Sequence, residues 1–297
     1  MTNICYITDN GYVQHTFVSI ASLKASKYPT STYKVFVVCD KVDSDKKDMF
    51  RKFSGEGFEV EIVDAENQDY QKKDYELGKY ISSSTYIRLR LPSILKGIDR
   101  VLYMDGDTII QDDLTELFKI DMGDDYTIAG AMDFGTCISS MYWSGADYIK
   151  NTLPGYERTY VNAGVLVMEL HKLRKNNFEE RCKELYDTRK DFIFADQDII
   201  NFSEQRNIKV FPLYWNCQIL NLLLNYPNHS PVFLQQLIKK TYHIEYKELV
   251  DIVYKSKVIH INGDKKYIHE IPYLSALYQR YFKLACEYII GNAGEQT

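Results

Sequence analysis

Two aspartates flank a glycine at the end of a short apolar run, where Arg100-Val101-Leu102-Tyr103-Met104 leads into Asp105-Gly106-Asp107. On an extended backbone, residues i and i+2 project to the same face, so both carboxylates can meet one cation. The glycine lets the chain turn and a phosphate-bearing ligand approach closely. Two acids held this way repel one another unless a divalent ion lies between them. A lone D-x-D also serves as a solvated turn with an Asx cap. Its position carries the argument, because ligands of open α/β sheets gather beyond the carboxyl ends of strands. A second candidate lies far downstream, in Val258-Ile259-His260-Ile261-Asn262-Gly263-Asp264-Lys265-Lys266. A histidine ending a strand can give a neutral nitrogen to the same metal, and the lysines can meet a diphosphate as point charges.

The elements that must position these groups follow from the hydrophobic pattern. Ile4–Thr8, Val35–Cys39 and Phe58–Val63 read as buried strands, separated by helical patterns over Thr16–Ser26 and Asp43–Phe53. Strands alternating with helix-length segments imply right-handed crossovers and a mainly parallel sheet. Ser84–Leu95 reads as a helix capped by Ser82–Ser84 and disturbed near its end by Pro92. Arg100–Met104, Tyr126–Ala131, Val165–Glu169 and Val258–Ile261 complete the strands. Asp113–Phe118, Phe178–Thr188 and Ala195–Phe202 read as helices, and the chain from Lys266 onward is helical and aromatic. The expected organisation is a catalytic domain over 1–265 with a helical tail over 266–297.

Bulk properties bound the function. With 297 residues, 45% hydrophobic and 26% charged, the chain can bury a substantial core. A formal net charge of −5 does not favour a nucleic-acid partner. Six cysteines without a C-x-x-C pair read as reduced core thiols. The N-terminal apolar run is too short for a signal peptide, and no run is long enough to span a bilayer, so the expectation is a cytoplasmic protein.

The chemistry-bearing segments, taken in order, resemble family 8 glycosyltransferases, the group that includes bacterial lipooligosaccharide galactosyltransferases and glycogenin. The resemblance runs from the start of the chain to about Lys266. It rests on Ile7-Thr8-Asp9-Asn10-Gly11-Tyr12 with Val18–Leu23, on Thr85-Tyr86-Ile87-Arg88-Leu89, and on Leu102–Asp107. Tyr160-Val161-Asn162-Ala163-Gly164-Val165, Ala195-Asp196-Gln197-Asp198 and His260-x-x-Gly263-x-x-Lys266 complete it. The fold implied is the GT-A type for nucleotide-diphospho-sugar transfer, α/β and Rossmann-like, with a mixed, mainly parallel sheet flanked by helices.

The resemblance also implies roles. Asp105, Asp107 and His260 would bind Mn²⁺, with Mg²⁺ as the alternative, and the ion would bridge the phosphates of UDP. Asp9 and Tyr12 would hold uracil and ribose, with Tyr12 stacking on the base; Gly263 and Lys266 would contact the diphosphate, and Thr8, Gly106 and Ala163 would also belong to the donor-binding site. Arg88, Asp133, Asn162, Asp196 and Gln197 would bind the transferred sugar, with Gln197 under the anomeric carbon. Other readings of these residues remain open: Asp9 as a first-loop cap, Asp133 as a turn acid, Asn162-Ala163-Gly164 as a bulge, Asp196–Asp198 as acids at a helix start. The sequence departs from the family at Lys266-Tyr267-Ile268, where the family has K-P-W, and at Gly11, usually asparagine.

The activity implied is retaining transfer of a hexose from UDP-galactose or UDP-glucose to a saccharide, glycoprotein or glycolipid. With an amide under the anomeric carbon, front-face substitution is favoured over a covalent intermediate on Asp196. A haloacid-dehalogenase-type phosphatase also uses D-x-D, but wants Thr or Val where Ile109 stands. A sugar-nucleotide pyrophosphorylase wants a glycine-rich basic first loop, and Thr8–Tyr12 is neither. A non-catalytic carbohydrate-binding protein would not need Asp105, Asp107, His260 and Lys266 together. The acceptor cleft is expected from Asp133–Ile149 and Leu213–Lys247, with Trp215, Tyr214 and Tyr226 as sugar-stacking or core aromatics. The tail over Tyr273–Tyr288 has the composition to lie on a membrane surface, pack on the domain or form a dimer interface.

Overall fold

The computed structural model describes residues 1–70, 82–135, 148–149, 151, 159–219, 232, 236, 239, 254–265 and 267–291. Lys266, Tyr226 and most of the two segments expected to form the acceptor cleft lie outside the described residues.

A seven-stranded sheet takes the order β3-β2-β1-β4-β7-β6-β8. Its strands are β1 (Thr2–Asp9), β2 (Tyr33–Asp40), β3 (Phe58–Asp64), β4 (Arg100–Met104), β6 (Ile128–Met132), β7 (Val161–Glu169) and β8 (Ile208–Val210). The first four strands pair parallel, β7 runs antiparallel between β4 and β6, and β8 is parallel to β6. The sheet is therefore mixed and mostly parallel. Its strands read as near-continuous apolar runs because both faces are covered. Ile4, Tyr6, Val35, Val37, Leu102 and Met104 enter one core, and their neighbours Cys5, Ile7, Phe36, Val38, Val101 and Tyr103 enter the other.

Helix α1 (Val13–Ser26) covers the first face with Val13, Phe17, Ile20, Ala21 and Leu23. The opposite face is covered by α3 (Leu91–Ile94), α5 (Leu170–Lys175), α6 (Phe178–Thr188) and α7 (Ala195–Ser203). Two further helices, α2 (Ser44–Arg51) and α4 (Thr115–Phe118), link strands at the periphery. Cys5, Cys39, Cys182, Cys217 and Cys286 are free thiols.

A second sheet, β5-β10-β9, is small: β5 (Thr108–Ile110), β9 (Cys217–Gln218) and β10 (Val258–His260). The sequence pattern passed over β5, β8 and β9, which are too short to show a period, and over α5. It also expected one helix over Ser84–Leu95. The chain forms a 3₁₀ helix over Ser83–Arg90, and Pro92 then sits in the first turn of α3, where its missing N–H costs nothing. The tail forms α8 (Tyr267–Glu270) and α9 (Pro272–Gly291). Helix α9 packs on the body: Leu274, Tyr278 and Tyr281 join Val18, Ile109, Ile259 and Ile261 in a third core.

Candidate active site and metal centre

The site assembles where four chain segments end together. Strand β4 runs parallel to β1, which brings the Asp105 turn beside the loop after Asp9. Strand β7 is antiparallel to β4 with Met104 opposite Val165, so Asn162, Ala163 and Gly164 lie beside Asp105. The Asp105 amide donates to the Gly164 carbonyl at 2.7 Å. Antiparallel pairing of β10 with β5 sets His260 opposite Thr108, one residue past Asp107.

Asp105-Gly106-Asp107 is a tight turn between β4 and β5, not the extended segment expected from the sequence. The Thr108 hydroxyl donates to the Asp105 carbonyl at 2.8 Å and closes it. The carboxylates converge nonetheless. His260 Nε2 lies 3.6 Å from Asp105 Oδ2 and 3.2 Å from Asp107 Oδ1. One ligand atom from each of the three residues falls within 4.8 Å of the others, an oxygen and nitrogen donor set that suits a divalent ion. Asp107 Oδ1 and the His260 ring are buried, and the second Asp107 oxygen accepts from the Tyr12 hydroxyl at 2.9 Å and from Lys265. Burial alone would raise the Asp107 pKa, but Lys265 and His260 outweigh it and hold the carboxyl well below its usual range.

Asn216 orients the histidine. Its Oδ1 lies 3.0 Å from His260 Nδ1, a contact that suits a proton on Nδ1 and would leave Nε2 as the ring's donor atom to a cation held between the acids. The Asn216 amide also donates to Asn162 Oδ1 at 3.0 Å, which ties the metal ligand to the neighbouring polar network. Sequence reasoning missed Asn216, which has no periodic or motif signal around it. Of the two readings of Trp215 beside it, sugar-stacking or core, the fold takes the second: Trp215 is only 3% exposed and packs in the main core, with Lys257 Nζ 4.3 Å from its ring. Partly buried Tyr214 packs against the same core.

Arg88 is a hub. Its Nε meets Asp196 Oδ2 at 2.9 Å, while its terminal nitrogens meet Asp105 Oδ1 at 3.0 Å, Thr85 Oγ1 at 2.8 Å and the Ala163 carbonyl at 2.6 Å. The guanidinium also lies 4.5 Å from the Tyr103 ring centroid. Tyr103 donates to Asp105 Oδ1 at 2.6 Å, so that oxygen is fixed from two sides and Oδ2 is turned to His260.

Asn162, Asp133 and Gln197 form one connected group. Asn162 donates to Asp133 Oδ2 at 3.1 Å and to Gln197 Oε1 at 3.2 Å; Gln197 donates to Asp133 at 3.3 Å and accepts from the Ala163 amide at 3.0 Å. Asp198, fully buried, anchors the start of α7 by accepting from the Tyr160 and Tyr148 hydroxyls and the Ile193 and Phe194 amides. Ala195 enters that helix with φ of 50°, a left-handed conformation that favours glycine, and aims the next two side chains into the site.

The first loop is more self-contained than expected. Asp9 Oδ1 accepts from the Gly11 and Tyr12 amides at 2.9 and 3.1 Å, and Oδ2 accepts from Ser82 and Ser84. Thr8 is buried against Thr16. Gly106 packs where a Cβ would meet Thr16 Oγ1 at 2.4 Å, and Gly263 turns with φ of 127°.

A mostly parallel sheet with acids and a histidine converging beyond its strand ends is the architecture of the GT-A glycosyltransferases. A solved structure of galactosyltransferase LgtC, in complex with donor and acceptor sugar analogs, superposes with a TM-score of 0.74 at 22% identity, covering 96% of each chain. The chain belongs to glycosyl transferase family 8, whose family model matches residues 3–271. A Haemophilus influenzae protein described as a glycosyltransferase is 28% identical over 202 residues, 67% of this chain and 58% of that protein. Glucoside xylosyltransferase 2 of Mus musculus is 31% identical over 144 residues, 43% of this chain and 32% of that protein.

Proposed function

We propose that this chain transfers a hexose, galactose or glucose, from a UDP-sugar to a glycan or glycosylated acceptor, with retention of configuration and dependence on Mn²⁺ or Mg²⁺. The observation that carries the reading is the convergence of Asp105, Asp107 and His260 on one point at the sheet's ligand-binding edge. In this reading a cation there would hold the donor's diphosphate, and the oxygen and nitrogen donors fit one. The catalytic unit of the proposal is 1–265, with 266–297 appended. A cytoplasmic location belongs to the proposal as well, with peripheral membrane contact through the outer side of α9, where Phe282 and Ile290 are exposed. Among the described residues no helix is long and apolar enough to cross a membrane.

When bound, the ion supplies Lewis-acid stabilisation to the departing diphosphate. The chain's own residues do the rest. Tyr12 and Asp9 border the nucleoside; Gly263 and Lys266 border the diphosphate. Arg88 pairs with both Asp105 and Asp196, offsetting their mutual repulsion and holding the two acids in fixed orientations. Asp133, Asn162 and Asp196 bind the sugar's hydroxyls. Gln197, held by the Ala163 amide and Tyr160, presents an amide to the anomeric carbon. An amide is a poor nucleophile, which favours substitution on the face that UDP leaves, with the leaving phosphate oxygen taking the acceptor's proton.

Saturating UDP together with Mn²⁺ is expected to raise the melting temperature by about 5 °C, as binding at about a hundred times Kd would. Neither component alone should match that rise. A melting temperature unmoved by the pair would end the catalytic reading, and labelled UDP-sugars in the same buffer would identify the donor.

The pH profile offers an independent check. Burial pushes the Asp196 carboxyl up to about 6, against the pull of Arg88 and the Thr85 hydroxyl. If the ionised form binds sugar, kcat/KM falls about tenfold per unit below pH 6, and Asp196→Asn loses that limb along with much of the activity. Stability should move the other way. Below pH 6 the folded chain takes up a proton that the unfolded chain, with the ordinary value of 3.8, does not. Asp196 then contributes about 3 kcal/mol of stability regained between pH 6 and 4. Urea unfolding of wild type and Asp196→Asn across that window measures the difference.

A further inference from the structure

From sequence, Lys265 and Lys266 share one expected role, as point charges for a diphosphate. The family resemblance assigns the diphosphate contact to Lys266, yet in the fold Lys265 reaches back from the turn after β10 into the metal centre. Its ammonium bonds Asp107 Oδ2, the Ile261 carbonyl at 2.6 Å and the Gly263 carbonyl at 3.2 Å. An ammonium has three protons, and these three acceptors use them all. The side chain is 23% exposed, and Nζ lies 5.6 Å from the centroid of the Tyr12 ring that donates to the same carboxylate oxygen.

A carboxylate as buried as Asp107 does not stay ionised without a compensating positive charge. Lys265 provides it on one oxygen, while the other oxygen faces His260. A divalent ion between Asp105, Asp107 and His260 would set a second and larger positive charge against the same side chain. Two cations drawn to the two oxygens of one carboxylate repel each other, the more so where that carboxylate is shielded from water.

From this contact, and resting on the reading of Asp105, Asp107 and His260 as metal ligands, we infer that Lys265 is a stand-in cation. It holds Asp107 while the divalent ion is absent and leaves when the ion binds. Its departure frees the turn over 261–265, whose two carbonyl contacts to Lys265 are local and whose Gly263 sits in a conformation that side chains rarely adopt. The displaced ammonium then lacks an anionic partner, and a nucleoside diphosphate arriving with the ion offers one. Metal and diphosphate binding are thereby made cooperative by this chain's own lysine, since whichever binds first removes a cost from the second.

Titration calorimetry with Mn²⁺ alone tests the competition on the full chain. Breaking a charge-assisted contact opposes the metal by about a factor of ten, so Lys265→Met should bind Mn²⁺ about tenfold more tightly than wild type, and Lys265→Arg should stay near wild type. With Mn²⁺ saturating, Lys265→Met should also bind UDP more weakly. Equal or weaker Mn²⁺ binding by Lys265→Met overturns the stand-in role while leaving the metal reading intact. If neither wild type nor Lys265→Met binds Mn²⁺, the metal reading itself fails and the inference goes with it. Wild type supplies a second readout that needs no variant: acylation of Lys265 by acetic anhydride, followed by peptide mass spectrometry. Several-fold faster labelling on adding Mn²⁺ supports release of the lysine, and unchanged or slower labelling contradicts it.

Discussion

Asp107→Asn is expected to lower sugar transfer by about a thousandfold, the scale seen when a group stabilising leaving-group charge is removed. The substitution preserves shape, so the Tyr12 hydroxyl at 2.9 Å still finds an oxygen to donate to. It removes the one charge that both Lys265 and His260 face. The effect should therefore fall on metal binding, with little loss of fold. Circular dichroism and calorimetry with Mn²⁺ separate the two. A variant that binds Mn²⁺ as tightly as wild type would show that Asp107 is not a ligand. Asp105→Asn should be milder in charge yet broader in consequence. Asp105 also receives Arg88 and Tyr103, so its loss reaches Asp196 through the shared guanidinium.

The second large effect comes from a residue with no side chain. A Cβ on Gly164 would lie 2.1 Å from His260 Cε1 and 2.8 Å from both ring nitrogens. The imidazole is nearly fully buried and tethered through Nδ1 to Asn216, so it cannot swing aside without breaking that bond. Gly164→Ala should weaken Mn²⁺ binding by about 10- to 100-fold, as disturbed outer-shell support does. Overpacking should also cost about 1–3 kcal/mol of stability. The double variant Gly164→Ala/His260→Ala is the decisive measurement. Removing the ring removes the clash, so stability should recover beyond the sum of the single changes, while metal affinity stays lost. Strict additivity of the two stabilities would mean that strand β7 does not press on the histidine.

Both effects pass through contacts that no local pattern reveals, and this separates what the sequence showed from what it hid. The strands were legible because the central sheet is covered on both faces. Burial on two sides writes an unbroken apolar run into β1, β2 and β4, and the acids that interrupt such a run stand out at its end. Asp105, Asp107 and His260 were therefore nameable, and so were the Asn162, Asp196 and Gln197 segments once their order matched a family. Short elements were not. The three residues of β5 and the two of β9 carry no period, yet they make the small sheet that delivers His260 to Asp107. The Ser83–Arg90 segment likewise reads as an ordinary helix, yet it winds as a 3₁₀ helix and sets Arg88 among Asp105, Asp196 and Tyr103.

By itself, the sequence determined the alternation of strand and helix, the identity of the groups able to hold a cation, and the family. Only the tertiary structure decided that Asp105-Gly106-Asp107 meets its histidine through a turn, that Asn216 aims the ring, that Trp215 is core, and that Lys265 rests on Asp107. The reason is physical. Hydrophobic periodicity is set by burial and is written locally, residue by residue. The partner of a buried charge is set by which strand ends the topology brings together, and those ends lie some 150 residues apart, Asp107 and Lys265 being 158 positions from one another in the chain.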